Sequence, residues 1–563
     1  MHRGLFLIVR LTALVASVNV PLTFAQAIPD AAQISRDARV AAQATDLISV
    51  EQVSVLSQKG MQGQIKLPLK SVAFSGNTVY SDLHLTALLQ LKMSEEGVLF
   101  DDLVVAVDRI SLFYRAQGYP LARAFLPQQT SADGAIKVTV LEGYYAKYVI
   151  NNQSHLTQTR IEATLKTALC ANKRPDCVGS VVTEKGNERA VNIVNDIPGV
   201  RAKVALEPGR DVGTTNFVMD VKSSNLPRST VGVDNYGGKS TGVYRVSTST
   251  EWSNMRGEGD IFALSGSASD KRIWSGSASY SVLMGYTGMR AGLNAGHGQY
   301  LLGDTFTSLN AHGDSNSLGA FVSYPLVRHR ARNLTLRAAM DYKVQKDSIE
   351  ATGMHFDKRN NTYSLGGYGD AVDGSGYSTY SLTWSGGNLR MLDANSIAND
   401  ASAMTAGGYG KMTYAFARQQ ALYGAWTVYG AVNGMAGNKN LDGSEKMGLG
   451  GSSGVRGYPA GEAAGDKGVV GNLELRYTQL LQQNQVALTY VGYVDRGWVQ
   501  TSITPWTTTA PTRSLTGYGI GLLLNKAFDF SMRAMYATHS ANAPSTVDPS
   551  SKYQFWLLAS KNF

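Results

Sequence analysis

The chain has 563 residues, of which 43% are hydrophobic and 17% are charged, and its formal net charge is +9. Its mean hydropathy of −0.14 excludes a bundle of membrane-spanning helices. It does not exclude a membrane β-barrel, in which apolar and polar residues alternate. The 52 basic residues are scattered among 43 acidic ones without a dense run, so we expect no nucleic-acid partner.

The amino terminus has the composition of a secretory signal. His2 and Arg3 precede an apolar stretch from Leu5 to Val20, and small residues follow in Ala-x-Ala spacing. An uncleaved membrane anchor is the alternative, but the stretch is short and polar residues interrupt it. We predict a signal peptide at residues 1–27.

Residues 28–66 are predicted to form a short helix and a linker. Asp30 is a good cap for a helix that extends to about Gln43, and the helix has a narrow stripe of small apolar residues. Such a stripe suits a helix in a polar cavity better than a core helix, with a flexible tail as the alternative. Ser, Gln and Gly then indicate a linker to about Gly63.

Two small α+β modules follow, at residues 67–143 and 144–224. In each, alternating strands flank two helices with apolar residues at helical spacing. The second module carries the two cysteines of the chain, Cys170 and Cys177. A disulfide is expected if the signal delivers them to an oxidising compartment, and free thiols are the alternative. We expect no metal site, because the spacing is not Cys-x-x-Cys and no histidine is near.

Residues 225–563 contain recurrent alternating segments of about ten residues. From Leu334 to Tyr342, for example, every second residue is apolar, and the chain ends on a strand-like run with a terminal aromatic residue, Phe563. We predict a transmembrane β-barrel of about 16 antiparallel strands, with Phe563 as a barrel-assembly signal. A soluble β-sandwich or propeller also alternates, but its edge strands need protection.

A long connection interrupts this pattern at residues 437–467. It is rich in glycine, and it contains the run Val455-Arg456-Gly457-Tyr458. A long loop in a compact barrel is usually functional, although an insertion-tolerant surface loop has the same composition. Further on, Tyr493 and Asp495 share one face of a strand, and Gly497 on that face leaves space for an approaching backbone.

Several of these runs resemble known families. The first module is similar to POTRA domains, which are periplasmic modules that bind extended polypeptide, and Asn195 to Val200 marks a second copy. In the first module the resemblance rests on Phe74-Ser75-Gly76-Asn77, on Tyr114-Arg115-x-x-Gly118-Tyr119-Pro120 and on Val140-Leu141-Glu142-Gly143.

The loop run and the run Tyr493-Val494-Asp495-Arg496-Gly497 resemble paired motifs of two-partner secretion transporters, the TpsB family. The resemblance implies that the loop folds into the barrel and that Arg456 pairs with Asp495. It also implies a plug helix at residues 30–43. The implied function is export of a large unfolded TpsA-type partner, such as a haemolysin, adhesin or contact-inhibition toxin.

The resemblance also implies a location in the bacterial outer membrane, with the POTRA modules in the periplasm. Outer-membrane lipid and the barrel-assembly machinery are then expected partners. Because the few histidines are dispersed, no catalytic set can be assembled, and we expect neither enzymatic activity nor a cofactor. The alternatives are a barrel-assembly insertase, whose relatives generally carry more POTRA repeats, and a passive porin, for which the tandem is superfluous.

Overall fold

The structure is a computed structural model that describes residues 66–91, 94–130, 134–170, 177–224, 229–271, 273–481, 486–507, 510–526, 529–541 and 543–563. The predicted signal peptide and plug helix lie outside the described residues. Two compact units are present, one made mainly of residues 66–224 and the other mainly of residues 229–563.

The first module packs two helices against a three-stranded sheet. Its elements are β1 Lys66–Leu69, β2 Ser71–Ser75, α1 Asp82–Leu89, β3 Ser94–Leu99, α2 Phe100–Ala116, β4 Arg123–Phe125 and β5 Ala135–Leu141. The sheet order is β2-β5-β4, and β1 pairs with β3. Helix α2 buries Leu103, Val107, Ile110 and Tyr114, which lie on one helical stripe, against the sheet.

Glu142 is the polar centre of this module, with no exposed surface. Its carboxylate accepts hydrogen bonds from the backbone N–H groups of Thr78 and Val79, both at 2.8 Å, and from the Tyr114 hydroxyl at 2.8 Å. Burial alone would raise the pKa of Glu142, but the hydrogen bonds from Thr78, Val79 and Tyr114 hold that pKa below its ordinary value. The charged carboxylate therefore fastens the turn after β2 to the end of β5.

The second module repeats the plan. Its elements are β6 Tyr144–Gln153, α3 Gln158–Leu169, α4 Glu184–Asn195, β7 Val200–Pro208 and β8 Thr214–Ser223, and the sheet order is β6-β8-β7. Thr157 and Thr183 cap α3 and α4 through their hydroxyl oxygens. The structure joins Cys170 and Cys177 in a disulfide, with Cα atoms 4.8 Å apart, just after α3.

Among the described residues, sixteen antiparallel strands close into a barrel, as predicted. The first eight are β9 Ser229–Asp234, β10 Arg245–Ser253, β11 Ile261–Ser269, β12 Trp274–Leu283, β13 Arg290–Leu301, β14 Ala311–Arg328, β15 Arg332–Ile349 and β16 Met354–Val372. The others are β17 Gly376–Met391, β18 Gly407–Ala421, β19 Trp426–Gly437, β22 Lys467–Leu481, β23 Val486–Gln500, β24 Thr512–Lys526, β25 Phe530–His539 and β26 Tyr553–Asn562.

The connections of the barrel contain a few short elements. They are the short strands β20 Met447–Gly448 and β21 Ala464–Gly465, the helix α5 Ala394–Ala403, and the 3₁₀ turns Asp304–Leu309, Glu350–Thr352 and Gly443–Glu445. Within the part of the chain that is described, no helix is both long and apolar enough to cross a membrane.

The strands show the alternation that a lipid environment requires. On β15, the side chains of Leu336, Met340 and Tyr342 are exposed and apolar, whereas Lys343, on the other face, reaches the loop inside the barrel. Since the loop marks the lumen, the exposed apolar face is the outer one. The hydrophobic exterior of the barrel therefore follows from the two-residue period.

Strands β9 and β26 close the barrel over five residue pairs, from Asp234 with Leu558 to Thr230 with Asn562. The amide of Asn235 extends this seam. Its Nδ2 donates to the carbonyl of Phe555 at 2.7 Å, and its Oδ1 accepts from the N–H of Leu557 at 2.7 Å. The Asn235 side chain thus forms the two hydrogen bonds that the backbone of one more paired residue would form in the sheet.

Candidate functional site

The connection between β19 and β22 folds into the barrel. Val455 and Tyr458 have no exposed surface, and Leu449 has none either. Together with wall residues such as Val499 and Leu515, they form an apolar cluster whose side chains are as buried as those of a protein core. The loop is therefore a packed structural element and not an insertion-tolerant surface segment.

Arg456 lies at the tip of the loop, against the wall. Its Nε lies 2.8 Å from Asp495 Oδ2 and its Nη2 lies 2.7 Å from Asp495 Oδ1, which is a bidentate arrangement on β23. The backbone N–H of Arg456 donates to the same carboxylate at 3.0 Å. The guanidinium carbon lies 3.6 Å from the ring centroid of Tyr493, so the cation also stacks on an aromatic face. The structure thus brings together the residues that the two sequence runs suggested.

Three further residues at the tip lie in no recognisable sequence motif. Glu474 on β22 is 5% exposed, and its Oε1 lies 2.6 Å from Arg456 Nη1. Arg476 neutralises the other carboxylate oxygen of Glu474, with Nε at 2.8 Å. Trp556 on β26 donates its indole N–H to the carbonyl of Arg456 at 2.8 Å. The tip therefore combines two cations with two anions, and each charge has a partner.

Close backbone approach explains two glycines of the predicted site. A Cβ on Gly497 would collide with the side chain of Leu449 and press on Val455, and a Cβ on Gly457 would collide with the carbonyl of Thr538. A larger residue at Gly457 would push the tip away from β25, and a larger residue at Gly497 would force the side chains of Leu449 and Val455 to shift.

The first part of the loop, residues 438–446, which we call the descending limb, has its own charged contacts with other strands of the barrel. Glu445 accepts from Lys411 of β18 at 2.7 Å, from Lys343 of β15 at 3.4 Å and from Asn360 of β16 at 3.1 Å. One turn earlier, Asp442 lies 3.1 Å from Lys358. These carboxylates have no distinctive sequence spacing, so only the fold reveals that they meet lysines from three strands.

The part of the loop after the tip, residues 458–466, which we call the rising limb, attaches to the connection between β25 and β26. Glu462 is fully buried and accepts from the Ser545 hydroxyl at 2.6 Å and from the N–H of Thr546 at 2.8 Å, and it also pairs with Arg513. The Tyr458 hydroxyl donates to the carbonyl of Ala543 at 2.7 Å. The tip is therefore only one of several polar attachments of the loop.

The remaining predicted site residues lie apart from the loop. Phe563 is exposed, and its backbone N–H donates to the carbonyl of Ser229 at 2.8 Å, next to the seam between β9 and β26. Cys170 and Cys177 belong to the second periplasmic-type module.

Two short runs have the letters of a hydrolase motif. Gly-x-Ser-x-Gly occurs at Gly238–Gly242 and at Gly450–Gly454. Both runs lie in connections between barrel strands, and neither makes the strand-to-helix turn that exposes a nucleophile. The match in letters therefore indicates no active site.

Sequence comparison places the chain among transporters that combine a β-barrel with POTRA domains. Residues 213–524, more than half of the chain, match the family described as haemolysin secretion/activation protein ShlB/FhaC/HecB, and residues 67–143 match the ShlB-type POTRA domain. The heme/hemopexin transporter protein HuxB of Haemophilus influenzae is 28% identical over 89% of this chain and 88% of its own length. The outer membrane transporter CdiB of Dickeya dadantii is 24% identical over 82% of this chain and 81% of its own.

Solved structures share the fold. CdiB from Escherichia coli superimposes with a TM-score of 0.72 over 91% of this chain and 93% of its own, at 18% identity. CdiB from Acinetobacter baumannii does so with a TM-score of 0.64 over 92% of this chain and 94% of its own, at 16% identity. The resemblance inferred from the sequence runs is confirmed: the chain belongs to the ShlB/FhaC/HecB family of haemolysin secretion/activation proteins.

Proposed function

We propose that this protein exports a large, unfolded TpsA-type partner protein across the outer membrane through its barrel. The observation that carries the proposal is the loop of residues 437–467, which is packed inside a closed barrel and attached by paired charges. Ionic attachments are reversible, because water can solvate the charges once the loop has moved away from the wall. The barrel can therefore open for the partner protein when the loop moves, without the formation or breakage of a covalent bond.

The two POTRA modules are the proposed receiving surface for the partner. Strand β7, with nine residues, lies at the edge of its sheet, and strand β6, at the opposite edge, is partly covered by a bridge from Tyr144 to Val181. An extended segment of the partner would add to such an edge through main-chain hydrogen bonds. This mode requires an unfolded cargo and little sequence identity.

The test separates export of one partner from general barrel assembly. Depletion of this protein should remove one large secreted protein, most simply the product of a neighbouring gene, from the cell surface. The other outer-membrane barrels should keep their abundance and their heat-modifiable migration. A simultaneous loss of many barrels would support the alternative, a barrel-assembly insertase.

A further inference from the structure

The junction between the two POTRA modules is short and buried. Strand β5 ends at Leu141 and strand β6 begins at Tyr144, so two residues, Glu142 and Gly143, connect the modules. Both of these residues are buried, and Glu142 has no exposed surface. Domains of one chain are usually joined by exposed, flexible linkers and move relative to one another. A buried junction of two residues restricts this motion.

Tyr144 belongs to the second module through its backbone and is bound to the first module through its hydroxyl. Its backbone N–H donates to the carbonyl of Gly213 at 2.9 Å, and it pairs with Thr214 of β8 in the ladder. Its hydroxyl donates to Glu142 Oε2 at 3.0 Å and lies 3.4 Å from the hydroxyl of Thr78. The buried carboxylate of Glu142 therefore accepts hydrogen bonds from both modules, and such bonds to a charged acceptor are stronger than neutral ones.

A second hydrogen bond joins the modules at a helix end. The backbone N–H of Glu184, the first residue of α4, donates to the carbonyl of Gly118, just after α2, at 2.9 Å. The first N–H groups of a helix have no acceptor within the helix, so α4 begins on an acceptor from the first module. Rotation of the modules about one of the two hydrogen-bonded points would break the other.

Close packing supports the same junction. Gly143 has a φ of +81°, in the left-handed region, and a Cβ on this residue would lie 2.6 Å from the Cβ of Leu121. The turn that leaves the first module thus lies directly against that module. Hydrogen bonds and packing together leave little freedom at the junction.

We propose that Glu142 and Tyr144 are positioning residues that hold the two POTRA modules at a fixed angle, so that both modules can receive one extended segment of the partner protein. The role in export rests on the proposed function, whereas the fixed angle does not. Two freely moving modules would sample many relative orientations, and the entropy lost on ordering them would oppose simultaneous binding of one segment.

The first test measures the distance between the modules in the full-length protein in neutral detergent. Nitroxide labels on the exposed positions Asp108→Cys of α2 and Lys203→Cys of β7 report this distance by double electron–electron resonance. Cys170 and Cys177 are joined in a disulfide and do not take the label. We expect a narrow distance distribution with the native junction and a broad one in Tyr144→Phe. Loss of a hydrogen bond to a charged group should raise the population of detached junctions on the order of tenfold.

Tyr145→Phe is the matched control. The neighbouring Tyr145 is buried, and its hydroxyl donates to Asn187 Oδ1 at 2.5 Å within the second module. Loss of this hydroxyl should leave the distance distribution narrow. A distribution in folded Tyr144→Phe that is as narrow as with the native junction would overturn the fixed angle. Equal broadening by the two tyrosine variants would also overturn it, since the effect would then be a general loosening of the second module.

The second test measures export of the secreted protein that depletion of this transporter removes from the cell surface. Export should fall severalfold in Tyr144→Phe and stay at the wild-type level in Tyr145→Phe, with both barrels heat-modifiable. Normal export by a Tyr144→Phe variant whose distance distribution is broad would overturn the role of the angle and leave the proposed function standing. If depletion removes no secreted protein, the proposed function fails and the role in export fails with it, while the distance measurement still decides the fixed angle.

Discussion

Arg456 is held by Glu474 as well as by Asp495: its Nη1 lies 2.6 Å from Glu474 Oε1, while its Nη2 lies 2.7 Å from Asp495 Oδ1. The two carboxylates belong to neighbouring strands, β22 and β23, which pair along their whole length. A single arginine at the tip of the loop therefore fastens it to two strands of the wall. Because Arg456 has two carboxylate partners, loss of one of them should weaken the attachment of the tip without abolishing it.

We expect Arg456→Asp to abolish export while the barrel keeps its heat-modifiable migration. The change places a third anion beside Asp495 and Glu474, so the tip is repelled, while the backbone ladder of the barrel remains intact. Breaking a buried ion pair costs about 3 to 5 kcal/mol of stability, and any water that enters the lumen reduces this cost.

Asp495→Asn and Glu474→Gln should each give partial export, because one carboxylate remains. Arg332→Asp, at the exposed first residue of β15, is the control. Normal export by Arg456→Asp would remove the tip from the mechanism.

The attachment of the descending limb should act separately from the tip. In Glu445→Gln, Lys343 and Lys411 lose their shared anion, so we expect the limb to move and the single-channel conductance in planar bilayers to rise. Glu350→Gln, in an exposed extracellular turn, should leave conductance unchanged. If Glu445→Gln conducts like the wild type, this limb does not restrict the pore.

The first POTRA module should lose stability on acidification because of Glu142. Its pKa in the folded protein is below the ordinary value of 4.5, so the carboxylate contributes stability above the unfolded pKa. That contribution is lost as the pH falls through the lower folded pKa. Glu142→Gln removes the charge and should cost about 2 kcal/mol at neutral pH. This cost should become smaller as the pH falls below 4.5.

Urea-dependent proteolysis of the full-length protein in detergent, followed through fragments that end within residues 67–224, measures this difference. Glu207→Gln, an exposed carboxylate on β7, serves as the control. An equal loss of stability at pH 7 and at pH 3 would contradict an ionic role for Glu142.

Removal of residues 30–43 tests the predicted plug helix. If this segment obstructs the resting channel, its deletion should raise single-channel conductance without stopping export, because the POTRA modules and the loop remain. A replacement of the same length by a Gly/Ser sequence controls for linker length. Conductance equal to that of the wild type would show that the segment lies elsewhere.

Phe563 is expected to act during assembly more than in the finished barrel. Its side chain is 66% exposed, and its contribution to the seam is made by backbone atoms. Phe563→Ala should therefore lower the amount of barrel inserted in cells, measured in membrane fractions, without changing the thermal unfolding of the purified protein. Phe555→Ala, which also removes an outward aromatic residue from β26, separates a terminal signal from general loss of hydrophobicity.

The sequence by itself determined the architecture, because that information is local. A two-residue alternation implies a sheet with two unlike faces, and apolar residues at helical spacing imply the helices of the POTRA modules. It also identified Arg456 and Asp495, since each lies in a recognisable run of residues. Only the tertiary structure decided which side chains share a charge, because closure of sixteen strands brings together residues far apart in the chain. Glu474, Glu445 and Glu462 look like ordinary surface glutamates in the sequence; the barrel makes them the anchors of the loop, since a charge enclosed by protein needs a partner.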